Sequence, residues 1–304
     1  MKFLVLGHLC LDVIHPTAGP EIQGFGGIYY AATTMAVLAE RSDHIIPVFG
    51  VNREDHGPLL QDLARFPAID TSGIYVFDHP TNQVHLFYQD GGARTECSKH
   101  IAEPIPFERI RPHLSVDGIL VNMISGFDLT LETLDQIRMM VRPHGVPIHL
   151  DFHSLTLGVR ANHERFRRPL DNWRRWAFMT ETVQLNEEEI AGLSRDAMTE
   201  QQTVGHLLTL GVRGVVLTRG ERGVSVFTNE KKKVVRQDIP GIRVDRAVDA
   251  TGCGDVFGAV FLQQYLRTKD MHAAAVTANG AAAIKARLAG VDRITELKTD
   301  PAAL

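Results

Sequence analysis

Cysteine is scarce in this sequence, and the few cysteines present argue against a disulfide framework. Among 304 residues there are three, Cys10, Cys97 and Cys253. Their number is odd, and none of them is spaced as the ligand pairs of a zinc site are. This usage indicates a reducing compartment, where thiols stay unpaired. We therefore expect a cytoplasmic protein that is stabilised by an apolar core.

Long hydrophobic runs and an excess of one charge are also missing. The 32 lysine and arginine residues nearly balance the 36 aspartate and glutamate residues, so the formal net charge is -4. Nucleic-acid-binding domains are usually strongly basic, and this balance gives no sign of such a partner. No apolar stretch is long enough to cross a bilayer, and residues 3–7 enter a predicted strand without a signal-peptide pattern. We expect neither a nucleic acid nor a membrane as a partner.

Several motifs of nucleotide and metal enzymes are absent as well. The chain has no G-x-x-x-x-G-K-[ST] phosphate loop. Its first predicted strand is not followed by G-x-G-x-x-G, which disfavours a dinucleotide-dependent oxidoreductase. The 14 histidines include no H-E-x-x-H pair, so packing and surface roles explain them better than a metal centre does.

The sequence does contain a regular alternation of apolar strands and amphipathic helices. Strands are predicted at 3–6, 45–49, 118–122, 147–151, 183–185 and 214–218. Helical periodicity covers 27–39, 54–66, 129–141, 203–210, 256–266 and 273–286. Wholly apolar strands between amphipathic helices are typical of a parallel sheet that is covered on both faces. We predict an α/β protein with a doubly wound, mainly parallel central sheet, in one domain that spans residues 1–304.

One region departs from this alternation. Residues 84–88 have a strand pattern and are followed by Asp90, Gly91 and Gly92, which is typical of a β-hairpin. Together with residues 8–25, the region 73–100 is predicted to form a small sheet beside the main body. Because a two-stranded piece is only marginally stable alone, this sheet should pack on the core, on a ligand or on another subunit.

Residues 248–260 carry the strongest signal for chemistry. Gly252 and Gly254 flank Cys253, and Asp255 follows at the start of a predicted helix. Glycines at a helix entrance let unpaired N–H groups converge on an anion. An aspartate beside an anion site is unfavourable unless it acts, for example by accepting a proton from a nucleophile. The pattern predicts a group-transfer site with Asp255 as general base and the glycine turn as anion hole. The alternative is an aspartate that caps an ordinary helix.

The run of residues 249–255 resembles the D-T-x-G-A-G-D signature of the ribokinase-like carbohydrate kinases, the PfkB family. The resemblance implies that Asp255 is the catalytic base. It also implies that the turn of Gly252, Cys253 and Gly254 holds the phosphoryl group in transit.

This run departs from the family signature at two positions. Ala250 replaces the usual threonine and Cys253 replaces the usual alanine, but neither change removes a backbone N–H. At a helix N-terminus the pKa of the Cys253 thiol is expected to fall, which makes this thiol a candidate for oxidative inhibition.

On the acceptor side, the resemblance assigns contacts to residues near the start of the chain. Asp12 lies shortly after the first strand, where the family has a carboxylate that hydrogen-bonds acceptor hydroxyls. The alternative is an Asx turn. Gly26 and Gly27 match a glycine pair that lets the acceptor approach the backbone.

Other acceptor contacts depart further from the family pattern. The usual asparagine is replaced by Ala31, and Tyr29 and Tyr30 precede it, which indicates either an aromatic pocket or buried tyrosines. Arg94 lies where lid residues of the family reach the acceptor or its phosphate, and an exposed hairpin arginine is the alternative. Asn122 ends a predicted strand, at the rim where such sheets bind ligands. The resemblance also implies that the small sheet is a lid over the acceptor.

On the nucleotide side, two further patterns match the family. Asn186 and Glu189 correspond to N-x-x-E, whose members act through water on the magnesium of the metal–nucleotide. The alternative is a run of surface charge at a helix start. Thr218, Gly220 and Gly223 resemble the family's T-x-G-x-x-G, in which the backbone passes under the nucleotide.

The resemblance implies two more ligand contacts near the end of the chain. Asn279 lies on the last long predicted helix, where the family packs the adenine. Asp249 and Thr251, with carbonyl groups of residues 286–290, would form the family's loop for a monovalent cation such as K⁺.

These patterns together predict an ATP- and Mg²⁺-dependent kinase that transfers the γ-phosphoryl group to a hydroxyl of a small polyol. A sugar is the expected acceptor, and a nucleoside or a cyclitol remains an alternative. Tyr29 and Tyr30 would favour a nucleoside if they stack on a base. A different class, a catalytically idle kinase-like regulator, is disfavoured because Asp255 and both glycines of the turn are present. The exposed edge of a lid leaves both a homodimer and a monomer open.

Overall fold

The computed structural model describes residues 1–15, 19–88, 94–193, 198–244, 248–288, 290–291 and 293–298. The strands in these ranges are β1 Lys2–Leu6, β2 Leu9–His15, β3 Ile22–Gly27, β4 His44–Asn52, β5 Ile74–Phe77, β6 Gln83–Tyr88, β7 Arg94–Lys99, β8 Gly118–Asn122, β9 Ile148–Asp151, β10 Leu157–Val159, β11 Arg165–Arg167, β12 Thr182–Asn186, β13 Gly214–Thr218, β14 Gly223–Glu230 and β15 Lys233–Pro240. The α-helices are α1 Ile28–Val37, α2 Arg53–Leu63, α3 Phe107–Ile110, α4 Leu131–Val141, α5 Trp173–Phe178, α6 Glu187–Gly192, α7 Glu200–Thr209, α8 Cys253–Thr268 and α9 Met271–Lys285.

The central sheet has nine strands in the order β15-β14-β13-β12-β9-β8-β1-β4-β5. The strands from β13 to β5 pair in parallel, and β14 and β15 add an antiparallel edge. The predicted doubly wound and mainly parallel sheet is therefore confirmed. The antiparallel pair was not predicted from the sequence, because the outer strand β15 is mostly exposed and carries several charged residues.

Helices cover both faces of this sheet. Alternate residues of β8 show the division, since Leu120 packs into the core under α1, α8 and α9 while Val121 packs into the core under α4, α5 and α7. Both side chains are completely buried. A strand that is buried on both faces needs apolar residues at every position, which is why these strands have no polar alternation.

A second sheet of four strands, in the order β3-β2-β6-β7, lies in the segments predicted for the small sheet. Strands β2 and β6 pair in parallel, and β3 and β7 flank them in antiparallel pairs. The predicted hairpin turn at Gly91 and Gly92 lies outside the described residues. Strand β3 runs directly into α1, so this sheet is joined without a spacer to a helix of the main body.

No α-helix of the described ranges combines the length and the apolar character that a bilayer crossing requires.

Candidate active site

The N-terminus of α8 is built to leave its amides exposed to a ligand. Its first flanking residue, Gly252, has φ +79°. A Cβ at this position would lie 2.6 Å from the ring of Tyr30, so only glycine fits there. In the part of the chain that the structure describes, no side chain caps α8. The Cys253 N–H donates to the carbonyl oxygen of Ala250 at 3.3 Å, whereas the N–H groups of Gly254 and Asp255 have no capping side chain.

Helix α1 shares this uncapped geometry, and the other long helices do not. Among the described helices of ten or more residues, side chains of Asn52, Thr130, Thr199 and Asp270 cap α2, α4, α7 and α9. Helix α1 begins after Gly27, which has φ +61° and provides no side-chain cap. The two uncapped N-termini meet where Tyr30 of α1 touches Gly252. The first turns of both helices thus lie next to each other, and each N-terminus carries the positive end of a helix dipole.

Asp255 lies in the first turn of α8 and is 5% exposed. Its Oδ1 accepts a hydrogen bond of 2.7 Å from Nδ2 of Asn122, the last residue of β8. Burial raises the pKa of Asp255, and the Asn122 hydrogen bond and the Lys285 charge are among the effects that oppose this rise. A buried carboxylate with a raised pKa and a fixed orientation is well suited to accept a proton.

The predicted acceptor residues Asp12, Gly26 and Asn122 are all buried, and Asn122 contacts this carboxylate. Asp12 is 6% exposed on β2, and a Cβ on Gly26 of the neighbouring strand would overlap its carboxylate. Gly27 is equally constrained, because a Cβ there would lie 2.7 Å from the carbonyl oxygen of His8. Among the described residues, Oδ1 of Asn122 is buried and has no hydrogen-bond partner. An acceptor atom without a partner beside the base can receive a substrate hydroxyl.

The two tyrosines predicted near the acceptor are buried in the protein. Tyr29 is buried on α1, and its hydroxyl donates to Asp62. Tyr30 is 2% exposed, with its ring against Gly252. Both rings are thus part of the core, as the alternative interpretation held, with Ala31 fully buried behind them. Arg94 begins β7, but its side chain lies outside the described residues.

Gln184 connects the glycine turn to a buried carboxylate, and no sequence pattern pointed to this residue. Its Nε2 donates to Oδ2 of Asp151 and to the carbonyl oxygen of Gly254, each at 3.0 Å. Asp151 ends β9, and burial together with the charges of Glu189 and Asp255 raises its pKa well above the ordinary value. The only sequence signal for Asp151 was its place at a strand end.

Asn186 and Glu189 form a capping box at the start of α6. Asn186 Oδ1 accepts from the Glu189 N–H at 2.9 Å, and Glu189 Oε2 accepts from the Asn186 N–H at 2.8 Å. Glu189 is nevertheless 6% exposed rather than a surface charge, and burial raises its pKa. The Glu189 and Asp151 carboxylates are both buried, and the charge of Glu189 is among the causes that raise the pKa of Asp151.

This pair of carboxylates fits a magnesium ion that is held through water. Hard divalent cations prefer oxygen ligands and relieve repulsion between carboxylates. Among the described residues, no three His, Cys, Asp or Glu side chains are arranged to ligate a metal directly. Two carboxylates that bind a hydrated metal ion through its water molecules need no such cluster when the ion also binds phosphate.

A groove of about 560 Å³ opens beside the glycine turn. Its lining includes Thr218, Gly220, Gly223, Asn279, Cys253 and Gly254. The predicted nucleotide residues of β13, β14 and α9 are thus brought together at one end of the anion hole. Phe257 and Ala282 give the groove an apolar wall. Asn279 is held in place by a 3.0 Å hydrogen bond from its Nδ2 to the carbonyl oxygen of Pro240.

The prediction for the Cys253 thiol was wrong. Burial raises the pKa of Cys253 to about 11, and the charge of Lys285 opposes only part of this rise. Desolvation of the thiolate outweighs the favourable position at the helix N-terminus. This thiol is therefore mostly protonated at neutral pH and is not activated for oxidation.

Asp249 and Thr251 lie at the base of the same turn. Asp249 Oδ1 accepts from the Thr251 N–H at 2.9 Å, and Asp249 Oδ2 accepts from the Gly290 N–H at 3.2 Å. The Asp249 carboxylate therefore joins the two segments that were predicted to form a cation loop. The ammonium group of Lys285 lies 3.7 Å from Oδ2 of Asp249.

Known proteins that resemble this chain are kinases. Residues 164–297 match the model of the pfkB family carbohydrate kinases. A cytidine kinase from Thermococcus kodakarensis is 24% identical over 277 residues, which cover 89% of this chain and 91% of that protein. The ribokinase of Thermotoga maritima has a TM-score of 0.74 at 20% identity over 96% of this chain and 95% of that one. A pyrophosphate-dependent kinase in the ribokinase family has a TM-score of 0.78 at 16% identity over 99% of this chain and 100% of that one.

The fold is that of a ribokinase-like α/β protein with a small second sheet. The chain is a kinase, and its residues 164–297 match the model of the pfkB family carbohydrate kinases.

Proposed function

We propose that the protein transfers the γ-phosphoryl group of ATP to a hydroxyl of a small polyol. The observation that carries this proposal is the buried Asp255, which is oriented by Asn122 at the uncapped N-terminus of α8. A general base within the first turn of such a helix lies next to the amides that would bind the transferring phosphate.

In the proposed mechanism, Asp255 accepts the proton of the attacking hydroxyl while the oxygen–phosphorus bond forms and the bond to ADP breaks. The amides of the Gly252–Gly254 turn stabilise the negative charge on the phosphoryl oxygens. Magnesium, when bound, neutralises charge on the phosphates, and Asp151 and Glu189 would hold it through water. Gln184 holds the Gly254 carbonyl, and so keeps the turn in position.

The groove supports a nucleotide as donor in preference to pyrophosphate. Its volume of about 560 Å³ extends from Cys253 and Gly254 to Asn279, well beyond the space that a second phosphate needs. The alanines of α9 and Phe257 supply apolar surface for a base. Pyrophosphate has no group that would use this surface.

A sugar is the acceptor that the described contacts support best. The Asp12 carboxylate, packed against the backbone at Gly26, can accept hydrogen bonds from two neighbouring hydroxyls. A nucleoside is the second candidate, because the cytidine kinase matches over most of the chain. The tyrosines give no support to a nucleoside, since both rings are buried in the protein.

We also propose that the segments 8–25 and 73–100 act as a lid of a single domain, residues 1–304. Asp12 is on β2 of the small sheet and Asp255 is on α8 of the body, so both parts contribute to one acceptor site. Closure of the small sheet over the acceptor would exclude water and suppress ATP hydrolysis.

The test is a product assay that crosses donors with acceptors. ATP and pyrophosphate are each offered with sugars, nucleosides and cyclitols, and the phosphorylated acceptor is identified by mass spectrometry. We expect transfer from ATP to a sugar, reduced by about 10²-fold or more in Asp255→Asn. Preferential phosphorylation of cytidine would favour the second candidate, and transfer from pyrophosphate alone would refute the donor assignment.

A further inference from the structure

Lys285 is a completely buried lysine at the C-terminal end of α9. Its Nζ donates to the carbonyl oxygen of Leu288 at 3.2 Å. The same Nζ lies 3.7 Å from Oδ2 of Asp249 and 5.4 Å from the centre of the Tyr30 ring. A buried ammonium group is stable only when such acceptors compensate its lost hydration. The end of a helix, where the dipole is negative, adds to this compensation.

These contacts lie in the loop that the family resemblance assigns to a monovalent cation. Such a cation would need carbonyl and carboxylate oxygens from residues 249–251 and 286–290. Of these oxygens, Asp249 Oδ2 and Leu288 O already face the Lys285 ammonium. A second positive charge at the same oxygens would be in contact with the first and would be repelled by it. The described residues of this loop therefore do not fit a bound K⁺ ion.

The charge of Lys285 also reaches the anion hole. Burial raises the pKa of Cys253 and of Asp255, and the positive charge of Lys285 opposes the rise in both. The Nζ atom of Lys285 lies 5.4 Å from the centre of the Tyr30 ring, and the same ring packs against Gly252. The ammonium group is thus a neighbour of the residue that packs against the glycine turn, and its charge acts on the first turn of α8.

We propose that the Lys285 ammonium group is a built-in replacement for the monovalent cation, so that this kinase needs no K⁺ or Na⁺. Lys285 is then a positioning residue, which shapes the Gly252–Gly254 turn without touching the substrate. The part of this proposal that concerns activity rests on the proposed function, while the occupancy of the site by Lys285 does not.

Thermal unfolding tests the occupancy without any assay of activity. The unfolding temperature is measured in KCl and in tetramethylammonium chloride at equal ionic strength, for the wild type, Lys285→Ala and Lys233→Ala. We expect the unfolding temperature of the wild type to be the same in the two salts. The exposed control Lys233→Ala should likewise show no difference between the salts. Lys285→Ala leaves the oxygens of Asp249 and Leu288 open, so K⁺ should raise its unfolding temperature by about 2–4 °C. A K⁺-dependent rise in the wild type would overturn the proposal, and so would its absence in Lys285→Ala.

Kinase activity provides the second readout. With the acceptor found in the product assay, the wild-type rate should be the same in K⁺ and in tetramethylammonium. Lys285→Ala should lose about 10-fold or more of kcat in tetramethylammonium and recover part of it in K⁺. A lysine that only stabilises the fold would show no such recovery. If the wild type phosphorylates no acceptor, the proposed function fails, while the unfolding measurements still decide the occupancy.

Discussion

Replacement of Asp255 by asparagine removes the proposed base but keeps the shape of the side chain. The Oδ1 atom of the asparagine can still accept the hydrogen bond that Nδ2 of Asn122 now donates at 2.7 Å. Turnover should fall by about 10²–10⁴-fold, which is the usual contribution of a general base. The affinity for nucleotide, measured by calorimetry, should stay within about 3-fold, because Asp255 does not line the groove.

The same substitution should make the protein more stable at neutral pH. Burial raises the pKa of Asp255 in the folded protein above its unfolded value, so the ionised side chain lowers the free energy of unfolding. This penalty is absent below the unfolded pKa, grows as the pH rises from the unfolded to the folded pKa, and is constant above it. Asp255→Asn should therefore raise the unfolding temperature at pH 7–8, by about 2 °C for each kcal/mol, and leave it unchanged at low pH.

Asp43 provides the matched control for this experiment. It is also buried, but hydrogen bonds from the Met1 ammonium and the Glu40 N–H, together with the charge of Arg267, outweigh burial and lower its pKa. Asp43→Asn should lower the unfolding temperature and preserve kcat. Near-normal turnover in Asp255→Asn, or a loss of stability like that of Asp43→Asn, would refute the reasoning about Asp255.

Three further predictions use the same assays. Gly26→Ala should raise the KM for the acceptor by about 10-fold or more, since the new Cβ displaces Asp12, while Gly24→Ala, with open space around it, should not. In Gly254→Ala the new Cβ meets only Gln184 Nε2, at 3.8 Å, so the variant should fold. It should gain up to about 1 kcal/mol of stability. Its kcat should nevertheless fall by about 10-fold or more. Its control, Gly205→Ala in α7, should gain stability and keep kcat, and equal activity of the two variants would contradict the anion hole. The acid limb of kcat/KM against pH should lie above about 3.9, the pKa of an ordinary aspartate, because burial raises the pKa of Asp255.

The parts of the molecule that depend on local sequence could be predicted. The alternation of apolar strands and amphipathic helices predicts the central sheet, and the glycines around Cys253 predict the start of α8. Both signals come from the backbone, whose conformation depends on a few neighbouring residues. The glycine turn was therefore the most reliable part of the candidate site.

The contacts of the site that join distant segments could not be predicted. Gln184 reaches Gly254, and Lys285 reaches Asp249, only because separate strands and helices end at the same edge of the sheet. Neither residue has a sequence neighbour that reveals its partner. The pKa of Cys253 was predicted in the wrong direction for a related reason, since burial depends on the whole fold and a helix N-terminus does not.

The contact between Tyr30 and Gly252 has a consequence for the order of events in the reaction. Tyr30 is the third residue of α1, which follows Gly26 and Gly27 without a break, so one short span touches Asp12 at one end and the anion hole at the other. A shift of β3 on binding of the proposed acceptor would therefore also move the ring that packs against the glycine turn. We therefore expect that binding of the acceptor alcohol completes the alignment of the donor. ATP that is bound without an acceptor should then be hydrolysed only slowly.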